Sequence, residues 1–146
     1  MPPPVQSLIA DYRQRLLRLG GVEWWEVAEA KRDEAGEAHR QQGLLQEAKR
    51  IQARIPHPST LIPLDSGGRQ LSSIQLAQQL DRWRQEAGTV CFVIGGPDGL
   101  HSTLLQAASW SLSLGTMTFP HTLARVLLLE QIYRAYTIVQ RIPYHR

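Results

Sequence analysis

The stretch Thr89–Ile94 (T-V-C-F-V-I) constrains the fold most, because it is almost wholly apolar, shows no alternation and is closed abruptly by G-G-P-D-G at Gly95–Gly99. A strand that does not alternate is covered on both faces, which is the condition of a parallel sheet dressed with helices. The run is too short for a helix and far below the ~20 residues of a membrane span.

The flanking sequence alternates helix and strand patterns. Val5, Leu8, Ile9, Tyr12, Leu16 and Leu19 recur at helical spacing, and Gly20-Gly21 ends that helix. Val22–Ala28 (V-E-W-W-E-V-A) predicts a strand. The charged, Gln-rich stretch 29–55 predicts a solvated helix, with a break possible at Gly43 and a stop at Pro56-His57-Pro58. Ser59–Asp65 predicts a strand, followed by a turn at Ser66–Arg69. Ser72 or Ser73 caps a helix to Glu86 with Ile74, Leu76, Leu80 and Trp83 inward. After the central strand come a short helix to Ser109, a brief strand at Trp110–Leu114, and a long helix from Pro120 to Gln140. The class is therefore α/β, with a mostly parallel sheet flanked by helices.

A chain of 146 residues suits one domain, 1–146. The single cysteine, Cys91, reads as a small core residue, and one thiol makes neither a disulfide nor a zinc site, so no metal is expected. Met-Pro-Pro-Pro-Val-Gln is no secretory signal, and a soluble, cytoplasmic protein without membrane contact is expected. Net charge is +3, which permits a polyanionic partner without demanding one. From Gly88 onward Arg125, Arg134, Arg141 and Arg146 face only Asp98 and Glu130, so that part is the more electropositive. Glu130, inside an apolar helix, is expected to pair with Arg134. His39, His57 and His101 are expected at the surface, and the four tryptophans (Trp24, Trp25, Trp83, Trp110) in the core or an interface.

The last helix is apolar on more than one face, with Leu123, Val126, Leu127, Leu128, Leu129, Ile132 and Ile138. One face can cover its own sheet, and the surplus face predicts a homodimer through this helix.

Three segments carry candidate chemistry. G-G-P-D-G follows the central strand, where ligands of open α/β sheets sit, yet a plain strand-to-helix turn looks the same. It is neither a dinucleotide fingerprint nor a phosphate loop. L-G-T-M-T-F-P-H, Leu114–His121, offers spare backbone donors and acceptors for a flat heterocycle, or simply connects two elements. The terminal P-Y-H-R groups a phenol, an imidazole and a guanidinium. Pro143 cannot extend the helix, so the tail is expected to leave it and, in a symmetric dimer, to reach the partner's site.

Together, G-G-P-D-G-L, L-S-L-G-T-M-T-F-P-H-T-L-A-R-V-L-L-L-E-Q-I-Y-R-A-Y and P-Y-H-R resemble the RlmH family of SPOUT-class methyltransferases, from about Val5 to Arg146. L-D-S-G-G-R at Leu64–Arg69 looks like that family's L-D-x-x-G-[KR] turn. The resemblance implies an α/β fold with a deep C-terminal trefoil knot, a homodimer through the last helix, and S-adenosylmethionine-dependent methylation of pseudouridine N3 in large-subunit ribosomal RNA. It implies that Leu64, Gly96, Leu114, Gly115, Thr116, Met117, Thr118 and Phe119 line the cofactor cleft, and that Tyr144, His145 and Arg146 serve catalysis. His145 suits removal of the N3 proton, and Arg146 suits charge on a neighbouring carbonyl oxygen or a phosphate. The expected target is a large, shaped one, ribosomal RNA within the large subunit or assembled ribosome.

The resemblance departs at the N-terminus. The family begins with an apolar strand of the type K-[IL]-x-[IL]-x-A-V-G-K, where Met1-Pro2-Pro3-Pro4 stands here. Either the start codon lies upstream or the sheet lacks that strand. A buried strand contributes much apolar packing and closes a sheet edge, which favours the first. A rival from another class is a non-catalytic ribosome-binding or assembly protein that keeps the fold.

Overall fold

A computed structural model describes residues 1–28, 30 and 36–146. Among the described residues the elements in chain order are α1 (Pro3–Leu16), α2 (Glu37–Arg54), β1 (Thr60–Gln70), α3 (Ser73–Ala87), β2 (Val90–Val93), α4 (Ser102–Ala107), β3 (Leu112–Ser113) and α5 (His121–Val139). The strands form a parallel sheet in the order β2-β1-β3. Helix α5 packs against both α1 and α3, while α2 contacts α4. None of the described helices is long and apolar enough to cross a membrane.

Local chemistry explains the boundaries. The Leu16 carbonyl accepts from the Leu19, Gly20 and Gly21 amides at 3.0, 3.2 and 2.7 Å, which closes α1. Ser72 and Gln75 form a reciprocal capping box at the start of α3, and Gly88 at φ +79° ends it. Leu76, Ala77, Leu80 and Trp83 form the buried stripe of α3, whereas Ile74 is turned out and half exposed. Trp83 packs edge-on to Phe92 and Trp110, with centroids 6.5 and 5.4 Å away. Trp25 is exposed on this chain and so lies outside its core.

Several expectations change. The central strand is β1, where consecutive Ile62 and Pro63 are both buried and therefore cover both faces. Among the described strands β2 pairs only with β1, so Cys91 and Phe92 stay half-buried despite their apolar character. The V-E-W-W-E-V segment is extended but forms no strand, because none of the described strands pairs with it. Side-chain contacts hold it instead. Arg125 stacks 4.6 Å from the Trp24 ring centre and pairs with Glu26 at 3.0 Å, and Arg50 donates to the Ala28 carbonyl. Helix α2 runs unbroken through Gly43, and the part expected to be helical at 29 and 31–35 lies outside the described residues.

The L-D-S-G-G-R segment is a bulge inside β1. Leu64 and Arg69 both pair with Leu112, so the residues between them loop out. A Cβ at Gly68 would lie 2.7 Å from the Ser111 carbonyl oxygen, which explains the glycine.

Candidate active site

The carboxyl end of β2 and the two-residue β3 both meet β1 where its bulge begins, as Pro63 pairs with Val93 and Leu64 with Leu112. The segments after β2 and β3 therefore emerge on one edge, flanking Leu64. After β2, Gly96 and Gly99 pair across a tight turn closed by the Gly99 amide on the Gly96 carbonyl at 3.0 Å. Gly99 sits at φ +79°, and a Cβ at Gly95 would meet the Gly99 carbonyl oxygen at 2.6 Å. Both positions need glycine. Arg40 of α2 reaches Asp98 at the turn's tip at 4.0 Å.

After β3, the Ser113 hydroxyl accepts from the Gly115 amide at 3.1 Å and lies 3.1 Å from the Ser66 carbonyl. This ties the start of the loop to β1. Gly115 sits at φ +133° with open space where a Cβ would be. Beyond it, Thr116, Met117, Thr118 and Phe119 reach solvent, which leaves their backbone groups and side chains available to a ligand.

A cleft of about 610 Å³ runs along the free side of β2, between that strand and residues 20–27. Leu80, Leu128, Leu129 and Ile132 contribute apolar walls, and His121 and Arg125 contribute polar groups. Of the residues assigned to the cofactor, Gly96 lines this cleft, whereas Leu64 and Leu114–Phe119 do not. Sequence reasoning named Arg125 as a charge and Trp24 as a packing residue but not their stacking, which depends on two segments a hundred residues apart and has no local signature. His121 is exposed as the first residue of α5, and His101 caps α4, its Nδ1 accepting from the Thr103 amide at 3.1 Å. His101 is partly buried.

The tail does not leave α5 as expected. Arg141 adopts φ +58° and the Ile142 amide bonds to the Thr137 carbonyl at 2.8 Å, which reverses the chain. Tyr144 and His145 return over their own helix. The Tyr144 hydroxyl donates to Glu130 Oε1 at 3.0 Å, and His145 Nδ1 lies 3.1 Å from Arg134 Nη1. Glu130 pairs with Arg134 at 2.6 Å, as expected. Burial and the Glu130 carboxylate push the Tyr144 phenol up to about 12, so it remains a donor at neutral pH. Burial also pushes the Cys91 thiol up, in keeping with an unreactive packing residue. Among the described residues no cluster of metal-ligating side chains is present.

The family described as "Predicted SPOUT methyltransferase" matches residues 1–145. The chain belongs to the SPOUT methyltransferase family. It is similar to proteins named "Ribosomal RNA large subunit methyltransferase H" in Hydrogenovibrio crunogenus (40% identical), Magnetococcus marinus (45%) and Neisseria gonorrhoeae (41%). Each match covers 100% of this chain and 92% of the relative. The resemblance read from the glycine turn, the apolar loop and the terminal motif is thus that of a SPOUT methyltransferase.

Proposed function

We propose that this SPOUT methyltransferase transfers the methyl group of S-adenosylmethionine to N3 of a pseudouridine in large-subunit ribosomal RNA, and that it acts as a homodimer. The observation that carries this reading is the full-length likeness to relatives named for ribosomal RNA methylation, with the glycine turn, the 114–119 loop and the terminal Tyr-His-Arg all present. The edge of the sheet fits a nucleoside-bearing donor. Its two glycine-dependent turns bring backbone close without side chains, and Thr116, Met117, Thr118 and Phe119 combine hydroxyls with apolar surface.

When bound, S-adenosylmethionine supplies a sulfonium-activated methyl group, so the protein contributes mainly alignment. Leu64, Gly96 and Leu114–Phe119 hold the cofactor at the carboxyl edge of the sheet. Tyr144, His145 and Arg146 meet the RNA, with Arg146 beside a phosphate or the uracil carbonyl. The trefoil knot belongs to this proposal, with the C-terminal part threaded to shape the cofactor cleft. So does the dimer: Leu123 and Leu127 of α5 are 46% and 41% exposed, one turn apart, and present an apolar face suited to a second copy.

Calorimetry with S-adenosylmethionine tests the reading. Saturable binding at one site per chain is expected; no binding by folded protein would leave the non-catalytic ribosome-binding alternative.

A further inference from the structure

The hydrogen bonds around the terminal tripeptide decide which nitrogen of His145 is free to act. Arg134 Nη1 lies 3.1 Å from His145 Nδ1. A guanidinium carries only N–H donors, so the imidazole nitrogen facing it accepts through its lone pair. In neutral His145 the ring proton therefore sits on Nε2, the nitrogen not engaged with Arg134. Arg134 is itself fixed, since its Nη2 and Nε donate to Glu130 Oε1 at 2.6 and 3.0 Å. The pair is partly buried, with side chains 23% and 18% exposed. The same carboxylate oxygen takes the Tyr144 hydroxyl, and Tyr144 stacks edge-on against Tyr133 at 4.7 Å. The tail is thereby held by its phenol, and its imidazole is oriented by the adjacent guanidinium.

We infer that His145 works in methyl transfer as a hydrogen-bond donor through Nε2–H, not as the base, and that Glu130 and Arg134 are the positioning residues that set this. The inference rests on the methyltransferase reading above. As N3 of a uracil ring loses its proton, negative charge spreads onto the flanking carbonyl oxygens, and a neutral N–H directed at one of them stabilises that charge. The N3 proton passes to solvent hydroxide, forming water. The N3 lone pair then forms the bond to the methyl carbon, and the carbon–sulfur bond breaks with its electron pair left on sulfur, turning sulfonium into neutral thioether. His145 neither gains nor loses a proton.

The test combines nitrogen-15 NMR of histidine-labelled full-length protein with methyl transfer to ribosomes. His145 should show a pyrrole-type Nε2 and a pyridine-type Nδ1, and Arg134→Met should abolish that preference. Arg134→Met should also lower kcat while leaving KM for S-adenosylmethionine unchanged, which a merely structural role would not do. His145→Gln keeps a donor N–H and should stay within about 10-fold of wild type, whereas His145→Ala should lose about 100-fold, the typical effect of removing one such donor. A protonated Nδ1 in the wild type, or a Gln variant as inactive as the Ala variant, overturns the donor role alone. Wild-type protein with the Nε2–H tautomer that transfers no methyl group refutes the methyltransferase reading, and the donor role with it.

Discussion

Replacing Gly95 with Ala perturbs the carboxyl edge of the sheet at its tightest point. The added Cβ would lie 2.6 Å from the Gly99 carbonyl oxygen, 2.7 Å from the Gly99 carbonyl carbon and 3.0 Å from Leu100 Cγ. Two of these three are backbone atoms, so no side-chain rotation relieves them. The turn must open until the two backbone distances exceed 3.0 Å, below which a Cβ is essentially never found. That movement breaks the pairing of Gly96 with Gly99. Overpacking of this kind costs about 1–3 kcal/mol. At ~2–4 °C per kcal/mol for a chain of this size, the melting temperature should fall by roughly 2–12 °C. Binding should suffer more than stability: the affinity for S-adenosylmethionine, measured by calorimetry, should drop at least 10-fold. Gly88→Ala is the control. Gly88 sits at φ +79° with nothing within 4 Å of the position a Cβ would take, so its cost is backbone strain of about 1–3 kcal/mol at the opposite end of β2. It should lower stability and spare binding. Wild-type affinity in Gly95→Ala would refute the placement of the cofactor against this turn.

The remaining expectations concern the tail and the dimer. The Tyr144 phenol is raised from 10.0 to about 12, so its docking contributes stability below pH 10 that is lost as pH climbs towards 12. Ultraviolet titration should therefore find one tyrosine ionising late, and Tyr144→Phe should remove that late step; an unchanged titration curve would contradict the docking. Deleting Tyr144–Arg146 should leave S-adenosylmethionine binding intact while methyl transfer falls at least 100-fold, and full activity would exclude a role for the tail. Leu127→Asp, at an exposed position of α5, should shift sedimentation from dimer to monomer without unfolding the chain. Wild-type protein sedimenting as a monomer at micromolar concentration would refute the dimer outright.

Legibility in the sequence followed the range of the interaction involved. The helices were readable because their signals are local, as in the Ser72–Gln75 capping box and the Leu76, Leu80, Trp83 stripe. The neighbouring Ile74 misled because one apolar residue at a helix start says nothing about which way it turns. Strand order was not readable, since pairing is a long-range choice. Thr89–Ile94 has the composition of a central strand, yet Ile62 and Pro63 occupy that place. The Val22–Ala28 segment has strand composition too, but composition cannot supply a partner strand. At the candidate site, the glycine turn and the loop after β3 were legible as irregular segments following strands. The Glu130–Arg134–Tyr144–His145 cluster was legible only as a single ion pair, because the reversal at Arg141 puts a non-glycine residue in the left-handed region, against its usual preference.

The most direct test of the central claim is methyl transfer to ribosomal particles isolated from cells lacking this modification. Purified protein would be incubated with S-adenosylmethionine carrying a labelled methyl group, and the large-subunit RNA digested and analysed by mass spectrometry. The account predicts one added methyl group per particle, located on N3 of a pseudouridine. Protein that binds both S-adenosylmethionine and the particles, yet leaves that RNA unmethylated or places the label on another atom, would contradict it.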